Sequence, residues 1–170
     1  MSKRIKTRYE VIRDTREQNG WFFAESNECF GTAEEKLDSG DYSIRGLENV
    51  FSIERKGSTG EFAQNITQKR FDRELDRLEQ YAHPFLILEF TANDIETFPA
   101  NSGIPLYLRK KIKISPNYIW SRVLEFDVKY KTKVIFAGSQ GKKIAEILFR
   151  KMCMLYLSNG GEDEKTEGET

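Results

Sequence analysis

The chain has 170 residues and a mass of 19.8 kDa, is 38% hydrophobic and 32% charged, and carries 12 Phe and 7 Tyr; that length fits one domain with its own core, and that composition excludes a disordered chain. Its longest unbroken apolar run, residues 152–157, falls far short of the roughly 18 residues a spanning helix needs, and no apolar run follows Met1-Ser2-Lys3-Arg4, so neither a membrane span nor a secretory signal is expected. The net charge is zero, and two cysteines and one histidine are too few for a disulfide framework, a Cys-rich zinc site or a multi-histidine metal centre, which leaves carboxylates and lysine to carry any hydrolytic chemistry.

Along the chain, Tyr9–Asp14 alternates apolar with polar residues and reads as a strand. Asn19-Gly20 is a turn signal, and a second strand is expected over 29–37. Asp38-Ser39-Gly40 is turn chemistry leading into a third strand over 41–44, and a fourth follows over 50–55. Four consecutive short strands predict an antiparallel meander. From 61 to 82 the period changes: Phe62, Ile66, Phe71, Leu75, Leu78 and Tyr81 recur at helical spacing, predicting one amphipathic helix. His83-Pro84 opens the apolar run 85–88, a strand buried on both faces, with His83 in a structural role.

Residues 101–115 read as a basic loop or short element. Ser115-Pro116 places an N-cap before a proline at the first helical position, opening a helix to about residue 131. A further buried strand over 133–137 precedes a last helix, capped by Ser139, with Ile144, Ile147, Leu148, Met152 and Leu155 as its inner stripe. The predicted class is α/β: one mixed central sheet, beginning as an antiparallel meander, flanked by helices on both faces. The folded part is expected over 8–157, between an extension at 1–7 and an acidic tail at 158–170 with no apolar residue to dock it.

Chemistry concentrates in two blocks. Side chains alternate along a strand, so Glu54 and Lys56 share one face while Arg55 points to the other. A hairpin pairing would set Asp41 beside Glu54, gathering two carboxylates and a lysine. Hard oxygens suit Mg²⁺, which takes one or two carboxylates plus water and substrate phosphate, and a neighbouring lysine can orient a nucleophile or stabilise charge on phosphorus. A solvated strand face carrying Glu-x-Lys would show the same pattern.

Three blocks in order, Ile12-Arg13-Asp14-Thr15-Arg16-Glu17, Gly40-Asp41-Tyr42 and Ile53-Glu54-Arg55-Lys56, are joined by Lys69-Arg70-Phe71, Arg77-Leu78, the run 85–90 and Val134-Ile135-Phe136. This series closely resembles the nuclease domain of the XPF family of structure-specific DNA endonucleases, over about residues 8–157. The resemblance implies a restriction-endonuclease-like fold and a Mg²⁺- or Mn²⁺-dependent endonuclease of branched or flapped duplex DNA, serving repair, recombination or replication. It further implies Asp14, Asp41 and Glu54 as metal ligands, Lys56 as the catalytic lysine, and Arg16, Glu17 and Arg55 as members of the catalytic set, Arg55 as a supporting ion-pair partner. Two positions depart from the family pattern. Gly60 stands where an aspartate follows the Glu-Arg-Lys block, with Glu61 one residue later, and Glu74 stands where an amide is usual after Arg70. By the same resemblance the protein is a homodimer through this domain, with the last helix a candidate interface. Rival readings are a catalytically silent DNA-binding subunit and a nuclease of RNA or of another nucleic acid.

The zero charge hides a partition: residues 101–160 hold 12 basic and 3 acidic residues, whereas 1–100 hold 14 basic and 19 acidic. Arg109, Lys110, Lys111 and Lys113, continued by Lys129, Lys131, Lys133, Lys142 and Lys143, suit a phosphate backbone, as Arg70 does by resemblance. Ordinary solvation and partner docking are the alternatives for the 109–113 cluster. Trp21 and Phe22 are expected in the core rather than stacked on DNA bases, Trp120 in the core or a dimer interface, Met152-Cys153-Met154 in helical packing, and Cys29 and Cys153 as buried thiols of an intracellular protein, cytoplasmic or nucleoid if prokaryotic or phage-derived.

Overall fold

The computed structural model describes residues 7–158, so the extension and the acidic tail lie, but for Thr7 and Ser158, outside the described residues. Strand β1 (Tyr9–Asp14) buries Tyr9, Val11, Ile12 and Asp14. It sits inside a six-stranded sheet with β2 (Cys29–Glu35), β3 (Tyr42–Ile44), β4 (Phe51–Lys56), β5 (His83–Leu88) and β6 (Lys133–Phe136), in the order β2-β1-β3-β4-β5-β6. Pairing is antiparallel for β1–β3 and β3–β4 and parallel for β4–β5 and β5–β6, so the sheet is mixed and the α/β class holds.

The predicted meander fails at its second strand. β2 lies outside β1 and runs parallel to it, with Arg13 opposite Glu34. Parallel neighbours need a long crossover rather than a tight turn. Residues 15–28 supply it, and Trp21 and Phe23 bury themselves on the sheet as the chain crosses. The single helix expected over 61–82 is two, α1 (Thr59–Asn65) and α2 (Lys69–Leu78). The five-residue step from Ile66 to Phe71 does not fit one helical face, and the break at 66–68 lets Phe62 and Phe71 meet edge to face at 6.0 Å.

After β5 come the short helices α3 (Ala92–Glu96) and α4 (Leu106–Arg109), then α5 (Pro116–Lys129), capped as expected by Ser115, whose side chain accepts from the Tyr118 amide. Strand β6 is an edge strand with Lys133 and Phe136 exposed, not a buried one. The last helix, α6 (Gly141–Met152), starts beyond Ser139: a 3₁₀ turn over Gly138–Gln140 intervenes, and Gln140 donates to the Ala137 carbonyl. A π-helical turn, Cys153–Leu157, ends the described chain.

Two cores lie on opposite faces of the sheet. On one, Val11, Tyr42, Ile44, Phe51, Ile53 and Ile87 pack against Trp21, Phe23 and Phe149 of α6. Phe149 meets Tyr9, Phe23 and Phe51 at 5.2–6.0 Å, and truncating such a ring costs about 3–5 kcal/mol. On the other, Leu86 and Leu88 pack under α1, α2, α3 and α5. Cys29 and Cys153 are buried free thiols. Among the described residues, no helix is long and apolar enough to cross a membrane.

Candidate active site

Strands β1 and β4 end at the same edge of the sheet, β5 ends beside them, and the oppositely directed β3 begins there. This topology brings Asp14, Asp41, Glu54, Lys56 and Glu89 to one rim. Asp41 is fixed by its own backbone: its amide donates to the Ile53 carbonyl at 2.7 Å and its carbonyl accepts from the Asp14 amide at 2.8 Å. The turn before it needs glycine. Gly40 has φ +81°, and a Cβ there would fall 2.0 Å from the Ser52 hydroxyl.

Asp14, Asp41, Glu54 and Lys56 line a cleft of about 300 Å³, with Arg16, Arg70 and Arg77 around the acids. Glu54 and Lys56 are buried on the face of β4 that carries α2, 2.8 Å apart, with the ammonium 5.1 Å from the centroid of the Phe71 ring. Burial, and then the neighbouring Glu54 charge, raise the Asp41 carboxyl well above the usual carboxylate range. Burial likewise raises Glu54, against the pull of Lys56. Lys56 loses proton affinity to burial, but the charge and hydrogen bond of Glu54 carry it above its ordinary value, so it stays an ammonium.

Asp41 Oδ2 accepts from the Arg55 amide at 2.8 Å, and Glu54 Oε1 accepts from Lys56. Among the hydrogen bonds of the described residues, Asp41 Oδ1 and Glu54 Oε2 carry none. Two mutually repelling carboxylates, each with an oxygen to spare, fit a hard divalent cation completed by water and phosphate.

Asp14 differs from them in having both oxygens engaged. Its oxygens are taken by Arg16, through Nε at 2.6 Å and Nη2 at 3.0 Å, by the Arg16 amide at 2.8 Å and by the Leu37 amide at 2.7 Å. These bonds outweigh burial and hold its carboxyl below the ordinary value. Among the described residues no group of three or more His, Cys, Asp and Glu side chains is placed to hold a metal ion. Of the expected trio, Asp41 and Glu54 each keep an oxygen without a hydrogen bond among the described residues, whereas the oxygens of Asp14 are engaged by Arg16 and the Leu37 amide.

Arg55 faces the other way, as the strand alternation requires. Its guanidinium lies 2.5 Å from Glu89 Oε2 and 3.8 Å from Glu17, and 5.3 Å from the Trp21 ring, while the Trp21 indole donates to Glu89 Oε1 at 2.9 Å. Glu89 escapes sequence reasoning. The signal that could have found it is positional: it follows the apolar run of β5, at the carboxyl end of parallel strands, where open α/β sheets place their sites.

The departures have structural causes. A Cβ at Gly60 would lie 2.4 Å from the Ser102 carbonyl, whose oxygen accepts from the Gly60 amide, so backbone fills the place of a side chain. Glu61 lines the cleft, with Oε2 accepting from the Gly57 amide at 2.8 Å. Glu74 pairs with Arg70 at 3.1 Å.

The basic residues do not form one patch with the acids. Arg109, Lys110, Lys111 and Lys113 sit on and after α4, outside the acidic cleft, with Arg109 Nε donating to the Ile104 carbonyl. Lys129 lies over Tyr130 and Lys142 over Phe23, rings belonging to opposite faces of the sheet, so the proposed continuation is split. Trp21 is buried as expected, Phe22 is exposed, and Trp120, half-buried, donates to Glu96.

The model of the ERCC4 domain matches residues 13–149. Among solved structures, the chain is similar to XPF from Aeropyrum pernix, at 17% identity and a TM-score of 0.57 over 88% of this chain and 67% of that one. It is similar also to XPF from Aeropyrum pernix in complex with DNA, at 16% identity and a TM-score of 0.57, covering 87% and 66% respectively. The chain thus spans about two thirds of the length of the structures it matches, and what they share with it is the fold. No curated protein matches.

Proposed function

This chain belongs to the ERCC4 domain family, and we propose that it is a DNA endonuclease cutting phosphodiester bonds in branched or flapped duplexes with Mg²⁺ or Mn²⁺ held by Asp41 and Glu54. The observation that carries this reading is the meeting of the half-buried Asp41 and buried Glu54 carboxylates, both of raised proton affinity, with the Lys56 ammonium in one arginine-rimmed cleft. When bound, the cation supplies Lewis acidity: it screens phosphate charge and lowers the pKa of a coordinated water.

The chain's own residues do the rest. Lys56 Nζ orients the attacking water or stabilises negative charge on the phosphate, for an in-line displacement leaving 5′-phosphate and 3′-hydroxyl ends. Arg16, fixed by Asp14, and Arg70 and Arg77 offer guanidinium donors to the strand backbone. Arg55 and Glu17 position the strand ends rather than touch the reacting atoms. The resemblance to the XPF family supports a homodimer in an intracellular role in repair, recombination or replication, and the exposed Ile147, Met154 and Tyr156 on α6 and the turn after it suit a second copy.

The test is a panel of labelled flap, duplex, single-stranded and RNA substrates with Mg²⁺, comparing wild type with Glu54→Gln. Flap cutting by the wild type, lost in the variant, is expected. Equal cutting by both, or DNA binding without cutting on every substrate and metal, overturns the enzyme reading in favour of a silent binding subunit.

A further inference from the structure

A second concavity, of about 600 Å³, adjoins the acidic cleft, and Glu61 lines both. Its chemistry is different. Its walls are α1 on one side and the 102–114 segment on the other, the latter contributing Ile104, Pro105, Leu108 and Ile112, with Lys111 and Lys113 among its lining. These two lysines are exposed and, among the described residues, enter no salt bridge. No acid occurs between residues 97 and 124.

The groove is built before any ligand arrives. The Gly60 amide donates to the Ser102 carbonyl, the Ser102 hydroxyl donates to the Pro99 carbonyl at 2.6 Å and accepts from the Ile104 amide, and Arg109 Nε ties back to the Ile104 carbonyl at 2.9 Å. Only glycine at position 60 permits this approach of helix and loop. The departure from the family pattern at that position and the existence of the groove are one structural fact.

We propose that this groove is the path of the unpaired DNA strand as it leaves the cleavage site, its bases packing on Ile104, Pro105, Leu108 and Ile112 and its phosphates meeting Lys111 and Lys113. The inference rests on the nuclease reading above and adds the substrate part that selects a branch. Three observations favour a nucleic-acid strand over other occupants. The groove adjoins the proposed cleavage cleft, the two sharing Glu61 in their linings. Its free charge is positive, and the one acid on its wall, Glu61, has Oε2 turned to the Gly57 amide. Aliphatic walls pack against any base face, which suits a strand bound without regard to sequence. A base-paired duplex hides those faces, so the groove discriminates between a flap and a continuous helix.

The full chain is tested in EDTA, where binding is read without cutting. Flap DNA carrying 2-aminopurine at successive unpaired positions should show a fluorescence change confined to the nucleotides nearest the junction. Lys111→Glu with Lys113→Glu, and separately Leu108→Asn, should each suppress that change and lower the ratio of flap to duplex affinity by roughly tenfold. The lysine variants replace exposed side chains, so a folding defect in Leu108→Asn leaves the question answerable. An unchanged fluorescence profile, or an equal loss of flap and duplex affinity, overturns the inference. Cleavage by the same preparations in Mg²⁺ separates the two levels: flap cutting with no signal from the groove refutes this path alone, whereas absence of both cutting and DNA binding refutes the nuclease reading with it.

Discussion

Strand β4 carries charges on both of its faces, and the two faces use them differently. On one, Glu54 and Lys56 have each other and open into a cleft, so an oxygen and ammonium protons remain for substrate. On the other, the Arg55 guanidinium is enclosed by Glu89, Glu17 and the Trp21 ring, and the Trp21 indole closes the set on Glu89. Three successive residues thus divide into two that can react and one that holds. The difference lies in what each side chain meets: Arg55 lies among Glu89, Glu17 and Trp21, whereas Glu54 and Lys56 meet each other. An ion pair clamped between a second acid and an indole ring stiffens an edge, whereas one that leaves a carboxylate oxygen unbonded can take a ligand.

The sharpest way to break this distinction is Asp41→Asn. It keeps an oxygen for the Arg55 amide and removes one of two repelling carboxylates, so cleavage should fall by at least about 100-fold. The folded state binds the Asp41 proton more tightly than the unfolded chain does, so ionising the group as pH rises past the ordinary carboxylate range costs stability. Neutral asparagine escapes that cost. Thermal melting at neutral pH without divalent cations should therefore show the variant at least as stable as wild type. A large loss of stability instead would mean that Asp41 holds the fold rather than the chemistry.

On the opposite face, Glu89→Gln keeps the acceptor for the Trp21 indole but takes the counter-charge from Arg55. Activity should drop by about 10–100-fold, as when a group supporting a functional shell is removed, together with a lower melting temperature. Loss of activity with unchanged melting would place Glu89 in the reaction and erase the contrast between the faces.

How much of this was legible differs by element. The reactive face was readable because strand alternation is local: Glu54 and Lys56 must share a side whatever the rest of the chain does. The holding face was not, since Glu89 lies 34 positions from Arg55 and meets it only through the β4–β5 register, Lys56 opposite Leu88. The parallel placement of β2 was hidden for a similar reason. Nothing local in Tyr9–Asp14 or 29–37 tells a hairpin from a crossover, and it is the burial of Trp21 and Phe23 in between that decides. Asp14 was visible as an acid at a strand end but not as one whose oxygens are already spent, because two of its donors, the Arg16 amide and side chain, are local and the third, Leu37, is not.

Gly60→Asp sharpens the comparison at the rim next to the reactive face. Restoring an acid there would drive its Cβ against the Ser102 carbonyl, and the loop or α1 must yield, at a cost of roughly 1–3 kcal/mol in chemical denaturation. Denaturation midpoints matching wild type would show that the 102–104 segment adapts, and that its close approach to α1 is not what excludes the side chain.

The smallest effect concerns Asp14, whose behaviour is opposite in sign to that of Asp41 in the same cleft. Arg16 and the Leu37 amide lower its proton affinity in the folded state, so its contribution to stability is complete above the unfolded value near 3.8 and is lost as pH falls through the depressed folded one. The contribution is modest, about 1 kcal/mol, because the Arg16 side chain is 58% exposed and water screens its share. Asp14→Asn should accordingly flatten the acid limb of the stability curve below about pH 4, leaving untouched the opposite slope that Asp41 and Glu54 contribute at higher pH. It should also loosen Arg16 and, if the proposed grip of Arg16 on the DNA backbone holds, raise KM for DNA more than it lowers kcat. A variant that lost kcat alone would return Asp14 to the metal and make the ligand set three acids rather than two.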